Sequence, residues 1–203
     1  MKPHIIGIAG PSSSGKTELA RRLVAELPGT AIVSLDSYYR GRQELPFEER
    51  EKLNFDHPDA LEWELLQEHL QAIGEGRAFE EPVYSFARHV RIAGTRRIEP
   101  AEFLIVEGLF VLYWPELRAI LDTKVYVWTD PEVCYRRRMA RDVAERGRTP
   151  EYVRAQYERT VCPGAEQFVC PTREYADLVV SGEKPFEESV GAVLRALDAV
   201  VAR

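Results

Sequence analysis

Gly10-Pro11-Ser12-Ser13-Ser14-Gly15-Lys16-Thr17 is a complete G-x-x-x-x-G-K-[ST] pattern, and it is the densest chemical signal in the chain. Small residues let successive backbone N–H groups converge on phosphate oxygens, and a helix beginning at this point adds positive potential. Lys16 is expected to face solvent and to reach the β- and γ-phosphates of a nucleotide, with the Thr17 hydroxyl ligating Mg²⁺. The bland alternative is a glycine-serine turn. It loses ground because the pattern follows an apolar run and opens a segment of helical period.

Two carboxylates belong to the same chemistry. Phe103-Leu104-Ile105-Val106-Glu107-Gly108 reads as a buried strand ending in an acid, the position of a Mg²⁺-directed carboxylate in phosphate-loop enzymes. Asp36, just past the run Ala31-Ile32-Val33-Ser34-Leu35, either faces a γ-phosphate and takes a proton from an acceptor hydroxyl or simply caps a turn. Arg138, Arg141, Glu145 and Arg148 recur at spacings of three and four, which places them on one helix face. Such a stripe is either a solvated surface or a basic lid that neutralises the charge of phosphoryl transfer.

Elements that position these residues follow from the apolar pattern. Ile5–Ala9, Ala31–Leu35, Phe103–Val106, Val125–Trp128 and Leu178–Val180 are strand-length runs, separated by segments of helical period such as Thr17–Leu27. Continuous β-branched runs alternating with helices predict a parallel sheet covered on both faces, an α/β three-layer sandwich. Residues 77–100 break the rhythm with short alternating segments and predict a small antiparallel excursion outside the main sheet. Residues 130–156 predict an arginine-rich helical region, with Asp130 as N-cap, Pro131 at the first helical position and a break at Gly147.

The 203 residues fit a single domain spanning 1–203, with 45% hydrophobic and 30% charged residues as in ordinary globular proteins. A net charge of −6 argues against a broad footprint for nucleic acid or an anionic membrane, so bound phosphate must be held by local donors. Cys134, Cys162 and Cys170 are odd in number and lack C-x-x-C spacing, which argues for a reducing compartment without disulfides or zinc. No signal peptide or membrane span is expected, and the cytoplasm is the expected location. His4 and His69 are expected at surface or satisfied polar positions.

Several ordered segments resemble the uridine kinase (uridine–cytidine kinase) family of P-loop kinases. Asp36-Ser37-Tyr38-Tyr39 is similar to its D-S-[FY]-Y segment, Asn54-Phe55-Asp56-His57-Pro58-Asp59-Ala60 to N-F-D-H-P-D-A, and Pro82-Val83-Tyr84-Ser85-Phe86 with His89 to its P-[IV]-Y-x-[FY]-x-x-H hairpin. Val106-Glu107-Gly108, the arginines of 138–148, Gln156-Tyr157 and Pro171-Thr172-Arg173-Glu174-Tyr175-Ala176-Asp177 complete the likeness over nearly the whole chain. Ser85 stands where some members carry an acid, and Ser181-Gly182-Glu183 departs from the usual tail.

The resemblance implies transfer of the γ-phosphate of ATP (or GTP), with Mg²⁺, to the 5′-hydroxyl of uridine or cytidine, giving UMP or CMP. It implies Asp36 as the base and an indirect Mg²⁺ partner, with Lys16, Arg141 and Arg146 on the phosphates. Asp56 would hold the ribose hydroxyls, while Phe55, Tyr84 and Phe86 would wall the base, His89 would read its polar edge and Tyr39 would also bind substrate. Arg138, Arg148 and Gln156 would contact nucleoside, and residues 130–156 would act as a lid. A homotetramer is also implied. The alternatives are a sister kinase acting on pantothenate, phosphoribulose or nicotinamide riboside, and a nucleotide-binding module without catalysis.

Overall fold

A computed structural model describes residues 2–201; Met1, Ala202 and Arg203, which belong to the expected 1–203 domain, lie outside it. Seven strands are present among the described residues: β1 His4–Ala9, β2 Thr30–Ser34, β3 Phe79–Ser85, β4 Val90–Ile98, β5 Phe103–Glu107, β6 Thr123–Trp128 and β7 Leu178–Ser181. Five form one sheet in the order β2-β5-β1-β6-β7, and every pairing is parallel.

Burial explains the composition of these strands. Along β1, Ile5 and Ala9 join one core while Ile6 and Ile8 join the other, and all four are fully buried. Alternate residues thus point to opposite faces, and both faces need apolar side chains because helices cover both. Helix Lys16–Glu26 contributes Leu19 and Leu23 to one core, alongside Val193 and Leu197 of helix Phe186–Val201. Helix Trp63–Gly74 supplies Leu66, Leu70 and Ile73 to the other. Each such fully buried aliphatic side chain contributes roughly 1.5–3 kcal/mol.

The expected excursion is an antiparallel hairpin, β3–β4, with its own two-stranded sheet and a register shift between Pro82 and Val83. Its ends, Phe79 and Ile98, anchor in the core against Helix Trp63–Gly74. The arginine-rich region forms helices Pro131–Arg146 and Pro150–Gln156, with Asp130 accepting from the Glu132 N–H as the expected N-cap. Beyond Gln156 the helix continues through two π-helical stretches, Tyr157–Val161 and Ala165–Val169. Among the described residues no helix is long and apolar enough to cross a membrane, and the three cysteines are free. His4 and His69 are satisfied, by Thr123 at 2.8 Å and Tyr38 at 2.9 Å.

Candidate active site

In a parallel sheet the carboxyl ends of neighbouring strands share one edge, where ligands bind. Here β1 ends at the phosphate loop, β2 runs into the turn Leu35–Tyr38 that carries Asp36, and β5 ends at Glu107. Ser12, Ser13, Gly15, Lys16 and Thr17 of the loop, with Asp36 and Glu107, line one cavity of about 770 Å³, together with Tyr39, Phe55, Asp56, Tyr84, Phe86, His89, Arg138, Arg141, Arg146, Arg148 and Gln156. Gly10, Pro11 and Ser14 of the loop do not line it.

Gly15 caps helix Lys16–Glu26 with φ 101°, a left-handed conformation that side-chain-bearing residues rarely adopt. No side chain caps that helix, so its first N–H groups are free to meet an anion. The Ser13 and Ser14 hydroxyls are buried without a partner in the protein. Lys16 corrects the expectation of a solvent-facing side chain: it is 8% exposed, and its Nζ donates to the Pro11 carbonyl at 3.3 Å. The loop's own carbonyl engages the lysine, which nevertheless lines the cavity. Thr17 Oγ1 donates to Glu107 Oε2 at 3.0 Å, and Ser34 Oγ to Glu107 Oε1 at 2.7 Å. Glu107 is 4% exposed; burial pushes its carboxyl up, while the Lys16 charge opposes the rise.

Across the cavity, aromatic rings form a wall. His89 stacks on Phe55 with centroids 5.0 Å apart, and Tyr84 contacts both Tyr39 (5.3 Å) and Phe86 (5.4 Å). Tyr39 donates its hydroxyl to the Phe55 carbonyl at 3.0 Å, so it braces the wall with that group already engaged. The Tyr84 hydroxyl, by contrast, is buried and unpartnered. Asp56 is buried and its Oδ2 accepts from Thr160 Oγ1 at 2.9 Å. Desolvation pushes the Asp56 carboxyl up, against the pull of Arg138.

Four guanidinium groups meet one carboxylate. Asp142, fully buried, pairs with Arg141 at 2.8 Å, Arg146 at 3.2 Å, Arg148 at 3.3 Å and Arg138 at 3.6 Å. Burial alone would raise its pKa, but Arg138, Arg141 and Arg146 outweigh burial and hold it below the usual range. Burial, reinforced by Arg141, pushes Arg146 down to about 10. Arg138 donates to Ser12 Oγ at 2.8 Å and to Gln156 Oε1 at 2.9 Å, and thereby bridges the phosphate loop and the second helix. Arg148 is not on the helix face predicted for it. The helix ends at Gly147, and Arg148 reaches the cluster from the following turn, its N–H bonded to the Asp142 carbonyl at 3.1 Å.

Asp142 received no role from the sequence, although its place four residues after Arg138 and four before Arg146 is the spacing of helical ion pairs. Thr160 and Gly164 were missed as well. A Cβ on Gly164 would lie 2.4 Å from the Asp56 carbonyl oxygen, so this glycine permits the close approach that seats Asp56. Thr160 lies in the first π-helical stretch and Gly164 in the short α-helical turn Cys162–Gly164 that separates the two, and no sequence period announces this alternation.

Residues 5–184 match the model of the phosphoribulokinase / uridine kinase family. Among curated relatives, a uridine kinase of Shewanella amazonensis is 45% identical over 182 residues, covering 87% of this chain and 86% of that one. A uridine kinase of Chloroflexus aggregans is 43% identical over 203 residues, covering 99% of this chain and 94% of that one. The solved phosphoribulokinase from Rhodobacter spheroides shares the fold with a TM-score of 0.65 at 17% identity, covering 91% of this chain and 74% of that one. A phosphate loop, Glu107, an arginine cluster and an aromatic wall lining one cavity agree with that match, and the chain belongs to the phosphoribulokinase / uridine kinase family.

Proposed function

We propose that this ATP-dependent kinase phosphorylates the 5′-hydroxyl of uridine and cytidine. The observation that carries the acceptor class is the aromatic wall: His89 stacked on Phe55, beside the unpartnered hydroxyl of Tyr84, in the cavity that also holds the phosphate loop. A flat polar heterocycle suits such a wall; pantothenate and sugar phosphates need none of it. The 43–45% identity to proteins named uridine kinase supports the same reading.

Among the described residues no three His, Cys, Asp or Glu gather as a metal site. Mg²⁺ needs few protein ligands, since it keeps waters and phosphate oxygens. The adjacent hydroxyl of Thr17 and carboxylate of Glu107 are hard oxygen donors of the right kind, with Asp36 in the same cavity, so these residues fit it. When bound, Mg²⁺ would neutralise phosphate charge. In this mechanism the helix N-terminus and Lys16 hold the donor phosphates, and Asp56 and the wall hold the nucleoside. Asp36 accepts the proton of the 5′-hydroxyl, while Arg141 and Arg146 stabilise charge on the transferring group. The transition state is loose, so alignment matters more than the basicity of Asp36. The reading includes a homotetramer and a cytoplasmic setting, of which size-exclusion chromatography tests the first.

A coupled kinase assay over uridine, cytidine, adenosine, pantothenate and ribulose 5-phosphate decides the acceptor. Turnover of both pyrimidine nucleosides is expected. Preference for a sugar phosphate or pantothenate would overturn the proposal.

A further inference from the structure

We infer that Ser34 is a positioning residue linking the acceptor hairpin to the phosphate site, and that Glu81 acts through it. The hairpin and the parallel sheet share no ladder, so side chains must connect them. Glu81, on β3, is 2% exposed and accepts the Ser34 N–H at 3.1 Å through Oε1. Its Oε2 accepts from Arg96 Nε at 2.7 Å, and the same guanidinium donates to the Ile32 carbonyl at 2.6 Å. Hairpin residues thus clamp the last residues of β2, Ile32 and Ser34. Ser34 then passes the connection on, because its hydroxyl donates to Glu107, the carboxylate that also accepts from Thr17.

One residue therefore commits both of its donors to buried carboxylates belonging to two different sheets. Buried carboxylates lose heavily when a donor is withdrawn, so neither contact slackens without a cost to the other. Tyr84 follows Glu81 on the same strand, and Asp36 follows Ser34 at the end of β2. The acceptor wall and the phosphate-side acids are consequently held in one register. Glu81 touches no reacting group, and Ser34 sets where Glu107 stands. This inference rests on the reading that the cavity joins an acceptor alcohol to a nucleotide.

The test is a double-mutant cycle. Ser34→Ala should lower kcat about tenfold while nucleoside KM stays within about twofold, since an alignment effect appears in turnover rather than in binding. Ser34→Thr, which retains the hydroxyl, should recover most of that loss. Glu81→Gln keeps the shape and should also lower kcat. The double variant should be no more than about threefold slower than Ser34→Ala, because residues acting in one chain are non-additive. Wild type, Ser34→Ala, Glu81→Gln and the double variant unfolded in urea should show non-additivity of about threefold or more in the unfolding constant. Unchanged kcat in Ser34→Ala, no recovery in Ser34→Thr, or losses that multiply would overturn the linkage. If wild type turns over neither uridine nor cytidine, the proposed acceptor is wrong. The urea cycle then still decides the linkage, and additivity there overturns it.

Discussion

His89 holds a backbone φ of 50°, in the left-handed region, while its ring stacks on Phe55. Its surroundings maintain that conformation against a local cost, as often happens where a side chain is aimed at a ligand. Burial first, then Arg148, Arg146 and Arg50, push its pKa from 6.5 down to about 4, so the imidazole is neutral near pH 7. A neutral imidazole has one donor and one acceptor nitrogen, and a change of tautomer or a flip suits either the uracil or the cytosine edge. His89→Phe keeps the stacked wall and should lose roughly 1–3 kcal/mol of transition-state binding for both pyrimidines, read as kcat/KM. Full efficiency in that variant would remove the base-reading role. The depressed pKa also fixes a sign for stability. The unfolded chain binds the proton first, so this contribution is present above pH 6.5 and lost as pH falls towards 4. Between those limits the Tm of wild type should fall more steeply than that of His89→Phe. Asp36→Asn should lower kcat by ~10²-fold with little change in nucleoside affinity; a KM effect alone would make Asp36 a binding residue.

At the level of elements, Gly164→Ala is expected to push on the Asp56 carbonyl, 2.4 Å from the added Cβ. Overpacking of this sort costs typically 1–3 kcal/mol, and here it should raise nucleoside KM while leaving ATP KM nearly unchanged. Equal effects on both substrates would show a general loss of structure instead. Gly164 also marks the limit of what was legible beforehand. The parallel strands could be read because both faces of the sheet are buried, which writes continuous apolar runs into the sequence. The hairpin and the helix start at Asp130 could be read because alternation and capping are local signals. Arg148 was misplaced because spacing continues through a glycine that ends the helix. Ser34, Glu81 and Asp142 were passed over because their importance lies in partners on other elements or in burial, which no single segment records.

Across the whole molecule, charge is distributed unevenly. The chain carries −6 overall, yet its cavity gathers four arginines around a single carboxylate, with Lys16 lining the same cavity. Asp142→Asn would leave those guanidiniums mutually repelling, and removing one partner of a buried ion pair costs about 3–5 kcal/mol. Thermal scans should show a large drop in Tm for this variant, partly reversed by ATP or inorganic triphosphate as replacement counter-charge. A drop that neither anion reverses would mean that Asp142 serves packing alone. The hairpin has a different standing, since it meets the parallel sheet through Glu81 and Arg96 without a shared backbone ladder. It is in effect a cassette. Exchanging the intervening residues of 79–98 would break no backbone pair of the parallel sheet, provided Glu81, Arg96, Phe79 and Ile98 stayed in place. Acceptor choice in such a scaffold can diverge by substitution in the cassette, while descendants inherit the phosphate-handling half unaltered.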